Sequence, residues 1–263
     1  MLFRRLFLCA LLVGLLVGLF DSAVQRWQVV PLVLAAEVFE TAAEPQAHEH
    51  ADGAAHSHGR EAWTPQGGLE RTAYTVLANV LNAIGSALLL LPLMVWWSRH
   101  RGKSALNSVS AASLRHGLLW GAAGWFCLFA LPALGLPPEL PGMQAASLQA
   151  RQGWWALTVA CGVGGLAMLC LVRAKWRVLG LGVLVLPFAV GAPRPEGSPF
   201  ADLGVQGAAQ MTLLADRFLV ATTVASALQW LLLGALCALA AARWLGPWLG
   251  PVVSTSAVAG SAP

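Results

Sequence analysis

The chain has 263 residues and a formal net charge of +4; 57% of its residues are hydrophobic and 11% are charged. Soluble domains carry about 25% charged residues, and mean hydropathy here is +0.67. These values exclude an ordinary soluble domain and point to a polytopic membrane protein embedded in a lipid bilayer.

About 20 apolar residues cross a bilayer. The first candidate span, 6–20, lies in MLFRRLFLCALLVGLLVGLF, where two arginines precede an apolar core in the manner of a signal peptide. FDSAVQRW follows, with Asp21 and large residues where a small-x-small cleavage site belongs. Cys9 comes too early for lipoprotein processing, so an uncleaved first helix is expected. VVPLVLAAEVFE then reads as a short interfacial helix with Glu37 and Glu40 three apart on one face. It is either an amphipathic surface helix or a relay handing metal toward the membrane.

Residues 41–62 form an inserted loop in which HEHADGAAHSHG holds four of the six histidines: His48, His50, His56 and His58. Its Gly and Ala have neither helical nor strand period, so a flexible tether is expected. In an extended stretch, each pair two residues apart puts both imidazoles on one side. Two such pairs on a flexible loop reach one ion, with Glu49 or Asp52 adding oxygen. Imidazole suits Co, Ni, Zn and Cu, and affinity follows a common metal order, so the loop does not choose among them. The bland alternative is a solvated linker.

The second span, 73–97, begins after Glu70 and Arg71, which read as a helix cap, and carries Asn79 and Asn82 three apart. Their amides either supply oxygen to an ion or bond a neighbouring helix. Spans follow at 118–134, 154–172, 178–190 and 218–241. The segment 178–190 is short and is either a tilted crossing or a re-entrant dip. His100 and His116 stand among Arg99, Arg101 and Arg115, which disfavour a divalent ion. PALGLPPELPGM after the third span and PFAVGAPRPEG after the fifth form a weak internal repeat. In each, a Pro near the span end leads through Gly and further prolines to a glutamate, Glu139 or Glu196. These glutamates either form an anionic mouth or are solvated ends of rigid turns. Paired repeats are common in transporters, with the site at their interface. The tail, 242–263, is expected to be disordered.

Charge fixes the expected sidedness. The first loop has eight acids against three arginines, whereas Arg99, Arg101, Lys103 and Arg115 follow the second span, and Arg173, Lys175 and Arg177 follow the fourth. The alternation suits six spans with both ends cytoplasmic and the His-rich loop outside. The five cysteines, all in apolar runs, read as small buried hydrophobes. Gly14/Gly18 and Gly117/Gly121 allow close helix packing. No G-x-x-x-x-G-K-[ST] and no H-E-x-x-H occurs, so neither P-loop nucleotide hydrolysis nor zincin chemistry is indicated. No catalytic constellation and no nucleic-acid signal stands out, and the chain is not expected to be an enzyme.

These stretches together resemble the CbtA family of proposed bacterial cobalt transporter subunits. The likeness runs over about residues 1–240 through VVPLVLAAEVFE, EAWTPQGGLERTAYTVLANVLNAIG, GLLWGAAGWFCLFALPALGLPPELPGM, ARQGWW and PFAVGAPRPEG. It implies uptake of Co2+ for cobalamin synthesis beside a small single-span, His-containing partner of CbtB type. The family is described with five spans rather than six. It often has a His after the Pro of the fifth segment, where this chain has Phe188.

The expected protein is therefore an all-α polytopic membrane protein with about six transmembrane helices, or five if 178–190 does not cross. Its expected place is the bacterial inner membrane, with the N-terminus cytoplasmic. The expected function is uptake of a divalent transition metal, most simply cobalt, with no permanently bound cofactor. The open alternatives are a nickel or zinc permease, and a non-transporting membrane scaffold that binds metal.

Overall fold

Nothing between Phe20 and Val30 breaks a helix, so the first one, α1 (Leu2–Gln28), runs two turns beyond its apolar core. The break comes at Val29 because Pro31 has no N–H to bond the preceding turn. The Val29 N–H still bonds the Gln25 carbonyl at 2.9 Å, and α2 (Val30–Ala47) starts at once. The computed structural model describes residues 2–47, 68–100, 106, 108–200 and 203–246.

The other helices are α3 (Leu69–His100), α4 (Ala111–Ala133), α5 (Leu148–Leu171), α6 (Arg177–Val190) and α7 (Val205–Leu245). No strand occurs among the described residues. The chain is an all-α polytopic membrane protein: α1, α3, α4, α5 and α7 are long and apolar enough to cross a bilayer. The sixth expected span, 178–190, forms the 14-residue α6, about 21 Å long at 1.5 Å per residue against a hydrocarbon core of about 30 Å. Gly191 ends it at φ 89°, a left-handed position that glycine takes without penalty.

Several helices run beyond their expected bounds: α1 continues to Gln28, and α4 and α5 start at Ala111 and Leu148. Residues 41–47, expected in the loop, continue α2, where the alanines favour helix; the rest of the loop lies outside the described residues. Residues 205–217, expected as loop, are the first turns of α7. They are held there by burial of Met211, followed by Phe218. The tail, expected to begin at 242, is helical as far as Leu245.

Two compact units divide the chain: Met1–Gly18, Val80–Gly121 and Leu231–Pro263 in unit 1, and Leu19–Asn79 and Ala122–Trp230 in unit 2. In unit 1, glycines let backbones meet. A Cβ added to Gly14 would lie 2.5 Å from the Ile84 Cα, and one added to Gly234 would strike the Gly117 carbonyl and sit 2.6 Å from the Gly121 nitrogen. Both glycine pairs expected to pack closely thus contribute to contacts within the chain. His116 Nε2 accepts from Trp120 Nε1 at 3.1 Å, and the Trp120 ring meets Trp97 edge-on at 6.0 Å.

In unit 2, α5 and α6 form an antiparallel hairpin. Gly165 faces Gly180 near the turn. At the other end, Trp154 Nε1 donates to the Pro187 carbonyl at 3.1 Å and the Trp154 ring meets Phe188 edge-on at 5.9 Å. Ala36, Leu140, Met211 and Phe218 are buried in one cluster, with Leu32, Met143, Phe200 and Leu203 packed on it. The Gln144 N–H bonds the Pro199 carbonyl at 2.9 Å. So α2, the segment after α4, the segment after α6 and the start of α7 all meet at one end of unit 2. Short as it is, α6 carries the chain back to the end from which α5 began, leaving Arg173, Lys175 and Arg177 at the hairpin's other end.

Before Pro132, α4 widens into a π turn, Phe126–Ala130, in which the Leu131 N–H reaches the Phe126 carbonyl. An intrahelical proline ring crowds the carbonyl four residues back, and a wider turn relieves it. Beyond the helix, Leu140–Pro141–Gly142–Met143 makes a tight turn with Gly142 at φ 79°, closed by a 3.3 Å bond from the Met143 N–H to the Leu140 carbonyl. Pro followed by a positive-φ Gly is the signature of a type II turn. That turn aims Leu140 into the cluster.

Candidate functional site

A polar side chain inside a membrane segment is costly and often functional. Asp21 is the one charged residue buried among the described residues, at 2% exposure. It sits on α1 with Ser22 and Gln25, one and four residues on, so all three share one side of the helix. Gln25 Nε2 donates to Asp21 Oδ2 at 2.7 Å and makes a longer contact, 3.5 Å, with Asn79 Oδ1 on α3. Asn79 Nδ2 donates to Ser22 Oγ at 3.2 Å. Two helices are thereby joined through four oxygen-bearing side chains.

Toward the N-terminus of α3 stands Arg71, eight residues from Asn79 and so about 12 Å away along the axis. Arg71 grips Glu37 of α2 with both guanidinium nitrogens: Nη1 to Oε2 at 3.0 Å, and Nη2 to Oε1. These bonds hold the Glu37 carboxyl below its ordinary range. A bidentate pair fixes orientation as well as charge, so α2 is clamped to α3 about two turns after it begins. Arg71 is therefore an inter-helix partner as well as a neighbour of Glu70, which lies in the first turn of α3, where an acid suits the helix dipole.

Of the residues singled out in the sequence, Asn79 and Glu37 enter these contacts. Glu40 follows Glu37 on α2. Asn82 does not join Asn79; it is exposed on α3. Glu139 is paired with Arg151 at 2.7 Å. Glu196 is exposed in the segment after α6. His48, His50, His56, His58, Glu49 and Asp52 lie outside the described residues. Among the described residues, no group of three or more His, Cys, Asp or Glu is placed to hold a metal ion.

Asp21, Ser22 and Gln25 were not legible as a site. The apolar run stops at Phe20, so Asp21 reads as the end of a span. The available signal was the absence of any breaker before Pro31, which keeps the helix going and stacks the three side chains.

A family model described as "Probable cobalt transporter subunit (CbtA)" matches residues 3–242. The chain belongs to the CbtA family. The matched region takes in α1 through α6 and all but the last turn of α7, so the Asp21 cluster and the Glu37–Arg71 clamp both lie within the CbtA region. A CbtA protein is a subunit, which implies a partner component. Phe188, after the proline of α6, packs on Trp154. No curated protein and no solved structure matches the chain.

Proposed function

We propose that this chain is the membrane subunit through which Co2+ enters the cell, acting as a transporter component rather than an enzyme. The observation that carries cobalt is the CbtA match over nearly the whole chain. The route begins at the His-rich stretch, which collects ions on the outer side. Glu37 and Glu40 on α2 line the approach from that stretch, with Asn79 further in. Glu139 and Glu196 add acidic groups at the same end of unit 2; Glu139 shares its charge with Arg151, leaving Glu196 the more available. Asn82 is the weakest member of the path because it is exposed on α3.

The membrane is the bacterial inner membrane, with the N-terminus cytoplasmic and the His-rich stretch outside. The supporting pattern is the basic–acidic alternation of loops. An inside-negative potential favours cation entry by about 2.3 kcal/mol per charge per 100 mV, and about twice that for a divalent ion. The partner component is a small single-span, His-containing subunit of CbtB type.

Collection and passage are separable. Replacing His48, His50, His56 and His58 together by Ala is expected to raise the Co2+ concentration for half-maximal uptake several-fold and leave the maximal rate nearly unchanged. Initial rates of radioactive Co2+ uptake across a concentration series measure both. Loss of uptake at saturating Co2+ would place the histidines in the path itself.

A further inference from the structure

Asp21 is buried in a membrane-crossing helix, and its hydrogen-bonding partner there is the neutral amide of Gln25. The nearby Glu37–Arg71 pair is neutralised within itself. A buried carboxylate without a counter-charge is unfavourable in a low-dielectric setting. A proton on the carboxyl or a bound monovalent cation removes that cost.

We propose that Asp21, Ser22, Gln25 and Asn79 form a binding site for one Na+ ion, and that Na+ entering there drives metal uptake. The donors are a carboxylate, a hydroxyl and two carboxamide oxygens, with no imidazole and no thiolate. Oxygen-only sets suit hard cations, whereas transition metals are favoured by nitrogen and sulfur ligands. The single carboxylate is neutralised by a monovalent ion; a divalent one would leave a buried positive charge.

The contacts bring three of the four side chains together at the Gln25 amide, while Ser22 Oγ accepts from the amide nitrogen of Asn79. The Gln25 amide nitrogen lies 2.7 Å from the Asp21 carboxylate and 3.5 Å from the Asn79 oxygen, so its N–H groups bridge oxygens of two helices. The terminal torsion of a Gln is broad and roughly two-fold. Turning that amide over presents Gln Oε1 at the bridge. Three oxygens then face one another, an arrangement that a bound hard cation stabilises. Occupancy therefore switches the amide and tightens α1 against α3.

The binding test needs no cobalt. The purified full chain in detergent is unfolded thermally in NaCl and in choline chloride at equal ionic strength, with Trp fluorescence as the readout. A ligand that binds the folded state raises the midpoint by mass action. The wild type is expected to show a saturable rise with Na+ that Asp21→Asn loses. Asn79→Ala, which keeps the carboxylate, is expected to need about tenfold more Na+ for half the effect, a change worth about 1.4 kcal/mol; it carries the test if Asp21→Asn does not fold. Equal midpoints in Na+ and choline for the wild type overturn the site, including the case in which only pH moves the midpoint. So does an Asp21→Asn protein that keeps the rise, or an Asn79→Ala protein with unchanged half-saturation.

The coupling rests on the uptake reading. In proteoliposomes an inward Na+ gradient is expected to raise Co2+ uptake several-fold in the wild type and not in Asp21→Asn. Co2+ entry that ignores the Na+ gradient overturns the coupling. If no Co2+ enters under any gradient while the Na+-dependent midpoint persists, the uptake reading and the coupling fail and the binding site stands.

Discussion

Gly234→Leu is expected to leave almost no folded protein. The added Cβ alone would run into the Gly117 carbonyl and come within 2.6 Å of the Gly121 nitrogen. Both obstacles are backbone, so no rotamer change relieves them; α4 and α7 must separate. Overpacking a well-fitted interior costs about 1–3 kcal/mol when side chains can shift, and more is expected where they cannot. Membrane helices also rely on close approach at small residues rather than on a hydrophobic force between them. Size-exclusion chromatography of the detergent extract, followed by a fluorescent fusion, measures the effect: the monodisperse peak should fall to a small fraction of wild type. Gly182→Leu is the matched control, because a Cβ there meets nothing within 4 Å. It should express normally or better, since Gly in a helix costs about 1 kcal/mol relative to good helix formers.

The second large effect is expected at Trp154. Its side chain is 5% exposed and lies against Gly135, bonds the Pro187 carbonyl and packs edge-on to Phe188. One residue thus ties α5 to α6 and to the segment after α4. Trp154→Ala removes all three contacts and opens a cavity; buried Trp-to-Ala changes cost about 3–5 kcal/mol. Thermal unfolding in detergent should show a fall of many degrees, with hydrogen exchange rising first in α6. Trp154→Phe restores part of the packing but not the hydrogen bond and should fall between. Trp155→Ala, at a neighbouring position 43% exposed, should change stability by no more than about 0.5 kcal/mol, as surface changes usually do. Equal effects at the two positions would mean that Trp154 does not anchor α6.

The apolar runs made most of the helices legible, because about 20 residues without charge suffice to mark a crossing. What they did not show depends on partners distant in sequence. Asp21 reads as a span end until Asn79 is brought against Ser22 and Gln25. Arg71 reads as part of a cap with Glu70 until α2 presents Glu37. The first turns of α7 have mixed polarity and no obvious apolar face; they are helical because Met211 and Phe218 have α2 and two loop segments to bury them. For 178–190, composition marked an apolar helix, but its return to the start of α5 rests on the Trp154–Pro187 contact. His48, His50, His56 and His58, the most conspicuous pattern in the sequence, are absent from the described residues, so their metal-collecting role rests on imidazole chemistry and spacing.

The measurement closest to the central claim is radioactive Co2+ uptake into proteoliposomes that hold this chain, alone and with a small His-containing partner subunit, under an inside-negative potential. Accumulation above protein-free vesicles, in competition with Ni2+ and Zn2+, is the predicted result. Binding of Co2+ to the protein without accumulation inside, in both preparations, would contradict the account and make the chain a membrane scaffold that holds metal for another transporter.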